Sequence, residues 1–328
     1  MTFVPKQPER ALFWLASGAA LVAAVAFLRP PDNTFLWKAL FDAGHAVLSG
    51  YLALGFLQLA LAWTGRQAAS ARHYAAAFAL TVASGALVEF VQFFLPRDAD
   101  LGDLLRDVLG AGAFLLGVFA VQRDSAGRLV RGKPARLGLI GTAALLLCIA
   151  FLPVGLLVVT YMQRDAAFPR LCDFESAWEE RFFIVQQAKL TVTPPPPDWT
   201  RPRSRRGNER VGRVTFDTGT FPGFGLKELA SDWRHHEALV FDVYSELEAP
   251  VELTLRIDDA QHNQLYADRF NRVLTLIPGA QEVRIPLADI RTAPRGRTMD
   301  MAHIRHLIVF AVEPPAPFTL HLDAFRLE

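Results

Sequence analysis

The sequence predicts a multidomain membrane protein, in which an α-helical transmembrane bundle of five helices precedes an all-β jelly-roll or β-sandwich domain. Three observations predict it: five apolar stretches in the first half, a change in charge between the halves, and strand-like alternation in the second half. Residues 1–163 carry only 9 of the 33 acidic residues and 13 of the 34 basic ones. We therefore expect a helical membrane domain over 1–163, a tether over 164–170 and a β-sandwich over 171–328.

The five apolar stretches are each about long enough to cross a membrane. A helix needs roughly 20 residues to span about 30 Å of hydrocarbon. The stretches lie near residues 11–28, 36–63, 74–96, 105–122 and 138–162. Basic residues cluster before the first stretch and after the second and fourth, and cytoplasmic loops are enriched in Lys and Arg. These features predict a multi-pass protein of the cytoplasmic membrane, with its amino terminus inside and its β domain on the periplasmic or extracellular side.

Charge and cysteine content narrow the function classes. The net charge of +1 gives no reason to expect a nucleic-acid partner. Two cysteines, Cys148 and Cys172, supply neither a disulfide framework nor a zinc pattern. The small residues at 24–26 fit a signal-peptidase site, but the length of the first stretch and the loop charges favour an intact helix.

Polar residues interrupt three of the apolar stretches at helical spacing. Ionisable groups inside a membrane cost about 2.5–3.5 kcal/mol each on insertion scales, so they usually face the protein interior or a wet cavity. With the predicted orientation, these residues all fall toward the outer side of the bilayer, as a binding or catalytic site would require. The alternative is hydrogen bonding between helices that only stabilises the bundle. The candidate set is Asp42, His45, Glu89, Gln92, Arg97, Asp103 and Asp107.

The same blocks resemble the VanZ-like membrane family over about residues 11–122. The resemblance rests on "DAGH" (42–45), "EFVQFFLPR" (89–97) and "DLLRDVLG" (103–110), which occur in the family's order. It implies a role at the cell envelope, of the glycopeptide-tolerance type, on a lipid-linked or peptidoglycan-related substrate, without naming a reaction. Two departures from the family pattern are Asp107, where Asn is usual, and Ser49, where Tyr is expected.

Chemistry suggests roles for members of this set. A His beside an Asp can be a general base or a metal ligand, and a buried Glu can carry protons. Arg97 could hold the phosphate or carboxylate of a lipid headgroup. Whether any reaction is catalysed stays open.

Six segments of the second half alternate like strands or carry β-branched and aromatic cores, with turn residues between several of them. Many short strands at this spacing indicate a β-sandwich or jelly roll. The segments are 238–247, 251–259, 265–276, 281–290, 304–313 and 318–328.

Residues 171–328 resemble the jelly-roll carbohydrate-binding modules of the galactose-binding-like class. The resemblance rests on "LCDFESAWEE", "LRIDDAQHNQLYADRFN" and "LHLDAFRLE". It implies a structural calcium ion between the opening acidic segment and the last strand, with Asp173, Glu175 and Asp323 as oxygen ligands. The alternative is that these acids cap strands or pair with Arg326.

Sugar binding needs a flat aromatic surface for the ring face and planar polar groups for the hydroxyls. The sequence offers such groups on the segment 265–276 and at Trp233, earlier in the same half of the chain. The alternative is that Trp233 is core and that Asp268 and Arg269 form a structural ion pair. The candidate ligand-binding residues are Trp233, Tyr266, Asp268, Arg269 and Asn271.

Two function hypotheses follow. In the first, the bundle binds or modifies an envelope substrate while the outer domain holds glycan nearby. In the second, the chain is a non-catalytic, membrane-anchored carbohydrate-binding protein, whose partners are the lipid bilayer and a cell-envelope glycan. No carboxylate pair of defined separation supports glycosidase activity in the second half.

Overall fold

The computed structural model describes residues 8–27, 31–92, 101–123, 128–199, 210–230 and 232–328. The chain divides into two compact units, Met1–Val158 and Val159–Glu328. The first is helical and the second is built on β-strands.

The helices of the N-terminal region follow the apolar stretches of the sequence. They are α1 (Pro8–Phe27), α2 (Phe35–Thr64), α3 (Ala71–Gln92), α4 (Leu101–Ala120) and α5 (Lys133–Ala167). The Thr34 side chain accepts a hydrogen bond from the Trp37 N–H at 3.4 Å and so caps the start of α2. Gly65, in the left-handed conformation with φ 69°, ends the same helix.

Small residues let helices α2, α3 and α4 approach closely. A Cβ atom at Gly110 of α4 would collide with the Ala46 carbonyl of α2, and one at Gly50 would collide with the Phe114 ring. A Cβ atom at Gly85 of α3 would collide with the Asp107 side chain. Close backbone approach at small residues is typical of helices packed in membranes.

Three helices among the described residues are long and apolar enough to cross a membrane: Phe35–Thr64, Ala71–Phe90 and Lys133–Ala167. This assignment rests on length and composition. Apolar side chains on these helices are exposed, among them Leu87, Phe90, Leu152 and Leu156.

Helix α5 runs further than the sequence predicted. Residues 164–167 of the expected tether are its last turn. The helix ends before Phe168 because a residue that precedes proline disfavours the helical conformation, and Pro169 follows.

The second unit contains eleven strands among its described residues, together with the short helix α6 (Leu287–Arg291). The first five are β1 (Arg170–Cys172), β2 (Phe183–Gln186), β3 (Ala188–Thr193), β4 (Val211–Phe216) and β5 (Gly223–Lys227). The others are β6 (Ala238–Ser245), β7 (Val251–Asp259), β8 (Phe270–Leu276), β9 (Gly279–Pro286), β10 (Ile304–Phe310) and β11 (Phe318–Leu327).

The strands form two antiparallel sheets. One has the order β3-β4-β11-β6-β9, with β1 also paired to β11, and the other has the order β2-β5-β10-β7-β8. Alternate side chains of both sheets point inward and form one hydrophobic core. Its largest side chains are aromatic, and the rings of Phe241 and Phe325 stack 4.7 Å apart. The predicted β-sandwich is confirmed.

The six predicted strand segments all contain strands, but the segment 265–276 is only partly extended. Tyr266–Asp268 is a 3-10 helix, and strand β8 begins at Phe270. The alternation predicted from Tyr266 through Asn271 is therefore wrong before Phe270. Sequence alternation alone could not show that the chain turns there, because Asp268 is held by the nearby Asn263 N–H and also by Arg297 from a distant part of the chain.

Candidate functional site

An open cleft of about 260 Å³ lies on the outer face of the five-stranded sheet. Strands β2, β5, β10 and β7 supply most of its walls, and the residue before β8 closes one end. Its lining residues are Ile184, Gln186, Phe221, Gly223, Arg256, Arg269, Ile308 and Phe310.

Two glycines on strand β5 make room for this cleft. Gly225 pairs with Ile184 on one side and with Ile308 on the other. A Cβ atom at Gly225 would lie 2.8 Å from Ile308 Cγ1, and one at Gly223 would lie 2.8 Å from Phe310 Cβ. Because neither glycine has a side chain, Ile308 and Phe310 can pack against the β5 backbone, and the middle of this face forms a depression.

A buried carboxylate organises one wall of the cleft. Asp258, only 2% exposed at its side chain, accepts hydrogen bonds from Arg256 Nε at 2.8 Å and from His306 Nδ1 at 2.6 Å. Burial would raise the pKa of Asp258, but the His306 hydrogen bond and the Arg256 charge outweigh it and lower that pKa. Asp258 is therefore ionised at neutral pH and holds Arg256 in place.

Arg269 belongs to the lining and directly precedes β8, whose Phe270 pairs with Ile257 of β7. Its Nε–H donates to Asn271 Oδ1 at 3.1 Å, and Asn271 Nδ2 donates to the Tyr266 carbonyl at 3.2 Å. The Arg269 Cζ atom also sits 5.3 Å from the centre of the Tyr266 ring. Of the predicted ligand-binding residues, Arg269 lines the cleft, and Tyr266 and Asn271 contact Arg269 without being part of the lining.

The other two predicted ligand-binding residues are structural: the alternative interpretation is correct for Trp233, whereas the ion-pair partner that it gave to Asp268 is wrong. Trp233 is fully buried, and its Nε1–H donates to the Ala230 carbonyl at 3.1 Å. Asp268 is buried as well and pairs with Arg297 rather than with Arg269. The Arg297 hydrogen bond, followed by one from the Asn263 N–H, lowers the pKa of Asp268 to about 2.

Sequence patterns did not identify Arg256, Gln186, Phe221 or Phe310 as part of the cleft. One local signal was present: the strand "GFGLK" carries two glycines on one face, and glycine in a strand often marks a close approach. The remaining members meet only through long-range strand pairing.

The predicted calcium ligands make other interactions. Asp173 pairs with Arg170, and Glu175 Oε1 accepts the Arg210 N–H at 2.8 Å. Asp323 is buried on β11, opposite Asp242 in the register. Within the described ranges, no group of three or more His, Cys, Asp or Glu residues is arranged to hold a metal ion. The calcium site stays a prediction.

A polar cluster joins helices α2 and α4 in the first unit. His45 Nε2 lies 3.8 Å from Asp103 Oδ2, and His45 Nδ1 lies 3.7 Å from Asp107 Oδ1. Arg106 Nη1 lies 2.5 Å from Asp103 Oδ1, and Arg106 Nη2 lies 4.0 Å from Asp42 Oδ2. The helical spacing that selected Asp42, His45, Asp103 and Asp107 therefore brings them together, with Arg106 between two of the carboxylates.

The remaining predicted members belong to α3 or follow it. Glu89 is one helical turn beyond Gly85, which faces Asp107, and it is close enough to interact electrostatically with His45. The backbone of Gln92 ends α3, but its side chain is outside the described part, and Arg97 lies wholly outside the described residues.

No protein-family model and no curated protein matches the chain. Solved structures with similar folds align with 48% of it, a share that corresponds to the β-strand unit in length. One is a family 11 carbohydrate-binding module from Clostridium thermocellum, in complex with a mixed-linked β-1,3-1,4 tetrasaccharide, at 16% identity, 93% coverage of that module and TM-score 0.36.

Two further similar structures are a family 30 carbohydrate-binding module of a Clostridium thermocellum cellulase and an exo-β-agarase. The first is 14% identical over 92% of the module, with TM-score 0.32. The second is 13% identical with TM-score 0.38, and the match spans 25% of that enzyme. At such identities and TM-scores, these likenesses decide nothing about the ligand of this chain. The fold class of the second unit is a two-sheet antiparallel sandwich with an open cleft on one sheet.

Proposed function

We propose that this chain is a membrane-anchored carbohydrate-binding protein whose β-sandwich unit binds a polysaccharide outside the cytoplasmic membrane. The observation that carries the proposal is the cleft on the five-stranded sheet. It combines apolar and aromatic side chains with planar polar groups on an open surface, which is the combination that a sugar chain requires.

The lining of the cleft fits the two faces of a sugar. Phe221 and Phe310 pack edge to face, with ring centroids 5.8 Å apart, and offer flat apolar surface to a pyranose ring. Gln186, Arg256 and Arg269 offer planar donors to hydroxyl groups. Because the cleft is open, a chain longer than one residue could lie along it.

The membrane part of the proposal rests on the helical unit. Three described helices have the length and composition of membrane spans, and their exposed apolar side chains would face lipid rather than water. Five crossings with the β unit outside remain our proposed topology, supported by the basic loops.

Binding of polysaccharides by the purified full chain in detergent micelles tests this function. Affinity electrophoresis through gels that contain single polysaccharides would give the affinities. Phe221 is about half exposed, so Phe221→Ala should keep the fold while losing stacking worth about 0.5–1.5 kcal/mol, or roughly threefold to tenfold in affinity. Ile277→Ala, an exposed apolar residue outside the cleft lining, is the matched control. Failure of the full chain to bind any polysaccharide would exclude the function.

The polar cluster supports a second candidate, action of the bundle on a lipid-linked or peptidoglycan-related substrate. His45 lies between two carboxylates, an arrangement suited to a general base or a metal ligand. His45→Gln and Asp103→Asn should abolish an envelope phenotype such as glycopeptide tolerance at unchanged protein level. Ser84→Ala, at a half-buried α3 residue whose hydroxyl donates to the Leu80 carbonyl of the same helix, should not. Tolerance retained by both cluster variants would leave the bundle as an anchor.

A further inference from the structure

The charge of the cleft is not balanced. Its lining contains two guanidinium groups, Arg256 and Arg269, and no carboxylate among the described residues. Asp258 lies beside the lining, and its oxygens accept hydrogen bonds from Arg256 and from His306. Asp258 therefore pairs directly with Arg256, and its attraction for Arg269 is smaller than the repulsion that Arg269 feels from Arg256.

Within the described part of the chain, Arg269 is the lining guanidinium that makes no direct ion pair. Its Nε–H is used by Asn271, while its two Nη groups make no hydrogen bond or ion pair with any residue in the described part of the chain. Burial, and then the positive charge of Arg256, lower the pKa of Arg269, so the two guanidinium groups of the lining repel one another. An anion placed between them would relieve that repulsion.

The geometry around Arg269 also fixes its direction. Asn271 holds the Nε edge, the Tyr266 ring lies beside the guanidinium plane, and Asn271 is itself held by the Tyr266 carbonyl. Less side-chain entropy is therefore lost when a ligand binds. The two free Nη groups form the planar fork that accepts a carboxylate in a bidentate pair.

We infer that the cleft selects a polysaccharide that carries carboxylates, with the carboxylate of a uronic-acid residue paired to the Nη groups of Arg269. This inference rests on the proposed glycan binding and names its substrate class. A neutral chain would cover the same guanidinium with hydroxyl groups alone, which compensate its charge less well than an anion does. Arg269 then determines specificity, and Asn271 is a positioning residue.

The test measures binding of the full chain in detergent micelles to polygalacturonate, alginate and hyaluronate, each beside its own carboxyl-reduced form. Each pair shares its backbone and linkages and differs in the carboxylates. The wild type should prefer each bound acidic polymer to its reduced form by at least about tenfold, because ion-paired hydrogen bonds are roughly twice as strong as neutral ones. The preference should shrink as salt is raised.

Two variants of Arg269 distinguish the bidentate geometry of its guanidinium group from its positive charge. Arg269→Gln should lose the preference for acidic polymer while still binding the reduced form, and Arg269→Lys should recover only part of it, because an ammonium lacks the bidentate fork. Arg272→Gln is the matched control: it removes the same charge three residues along the chain, where the side chain pairs with Asp289 at 2.6 Å. It should behave as wild type.

The outcomes distinguish the two proposals. Equal or tighter binding of the reduced polymers by the wild type would overturn the acidic-ligand inference and leave glycan binding intact. A preference that survives Arg269→Gln would overturn the assignment to this residue. Absence of binding to every polymer, acidic or reduced, would overturn the proposed function and this inference with it.

Discussion

Glu179 predicts an unusual dependence of stability on pH in the β-sandwich unit. It lies in a 3-10 helix, Glu179–Phe182, and is 1% exposed. Its oxygens accept the N–H groups of Asp173 at 3.2 Å and Ser176 at 3.5 Å. Burial, and then the hydrogen bond and charge of the Asp173 side chain, raise the pKa of Glu179 to about 8.

The sign follows from proton linkage. In the unfolded chain Glu179 ionises near its ordinary pKa of 4.5, whereas in the folded unit it keeps its proton up to about pH 8. Between those values the folded state binds more protons, so the free energy of unfolding falls as pH rises, by at most about 1.4 kcal/mol per pH unit. From pH 6 to pH 8 this contribution amounts to a loss of about 2 kcal/mol.

Glu179→Gln isolates the effect, because an amide does not titrate. The difference in unfolding free energy between Glu179→Gln and wild type should move by about 2 kcal/mol in favour of the variant between pH 6 and pH 8. Urea unfolding of the full chain in micelles, read by pulse proteolysis of the β unit, measures it. Glu180→Gln, exposed in the same turn, is the control and should show a constant difference. A constant difference for Glu179→Gln as well would refute the raised pKa.

Three further predictions concern packing, buried charge and calcium. Gly110→Ala should destabilise the helical unit by about 1–3 kcal/mol in thermal unfolding, because its Cβ meets an α2 carbonyl, whereas Gly117→Ala, with nothing within 4 Å, should not. Arg297→Met should lower the free energy of unfolding by about 3 kcal/mol or more, measured by pulse proteolysis, because Asp259 loses its partner. The Asp259 side chain is fully buried, and Arg297 donates to it at 2.6 and 2.8 Å. Arg295→Met, at an exposed residue, should be near neutral. Millimolar Ca²⁺ should raise the urea midpoint of the β unit if the predicted ligand set binds it, and an unchanged midpoint would contradict that set.

Helical periodicity explains why the polar cluster could be predicted from sequence. Residues three or four apart share a helix face whatever the tertiary structure, so Asp42 and His45 were placed together by spacing alone. Spacing within α2 could not show that α4 is the helix that packs against it. The contact between α2 and α4 depends on Gly110, whose role as a close-packing site appears only when the Ala46 backbone lies against it.

The cleft shows where sequence reasoning reached its limit. Strand alternation predicted the strand segments of β6 to β11, yet it could not tell which strands pair. Arg256 lies opposite Asn271, and Ile308 lies opposite Gly225, 83 positions away in the chain. Such registers are set by the packing of both sheets at once. The error at Asp268 has the same origin, because its partner Arg297 comes from a distant loop.

Charge pairing separates structural groups from ligand-facing groups in the β unit. Asp259 and Asp268 share Arg297, and Asp258 joins Arg256 to His306, so each of these buried carboxylates is neutralised within the fold. Burying an ion without a partner costs several kcal/mol, and a fold keeps such a group only where something else repays the cost. Among the described residues of the cleft, Arg269 is the exception: it is half-buried, oriented by Asn271 and makes no ion pair. Trp233, one of the aromatic candidates for a sugar platform, is core, whereas the pattern of ion pairs singles out Arg269, the residue to which we assign the carboxylate of the proposed ligand.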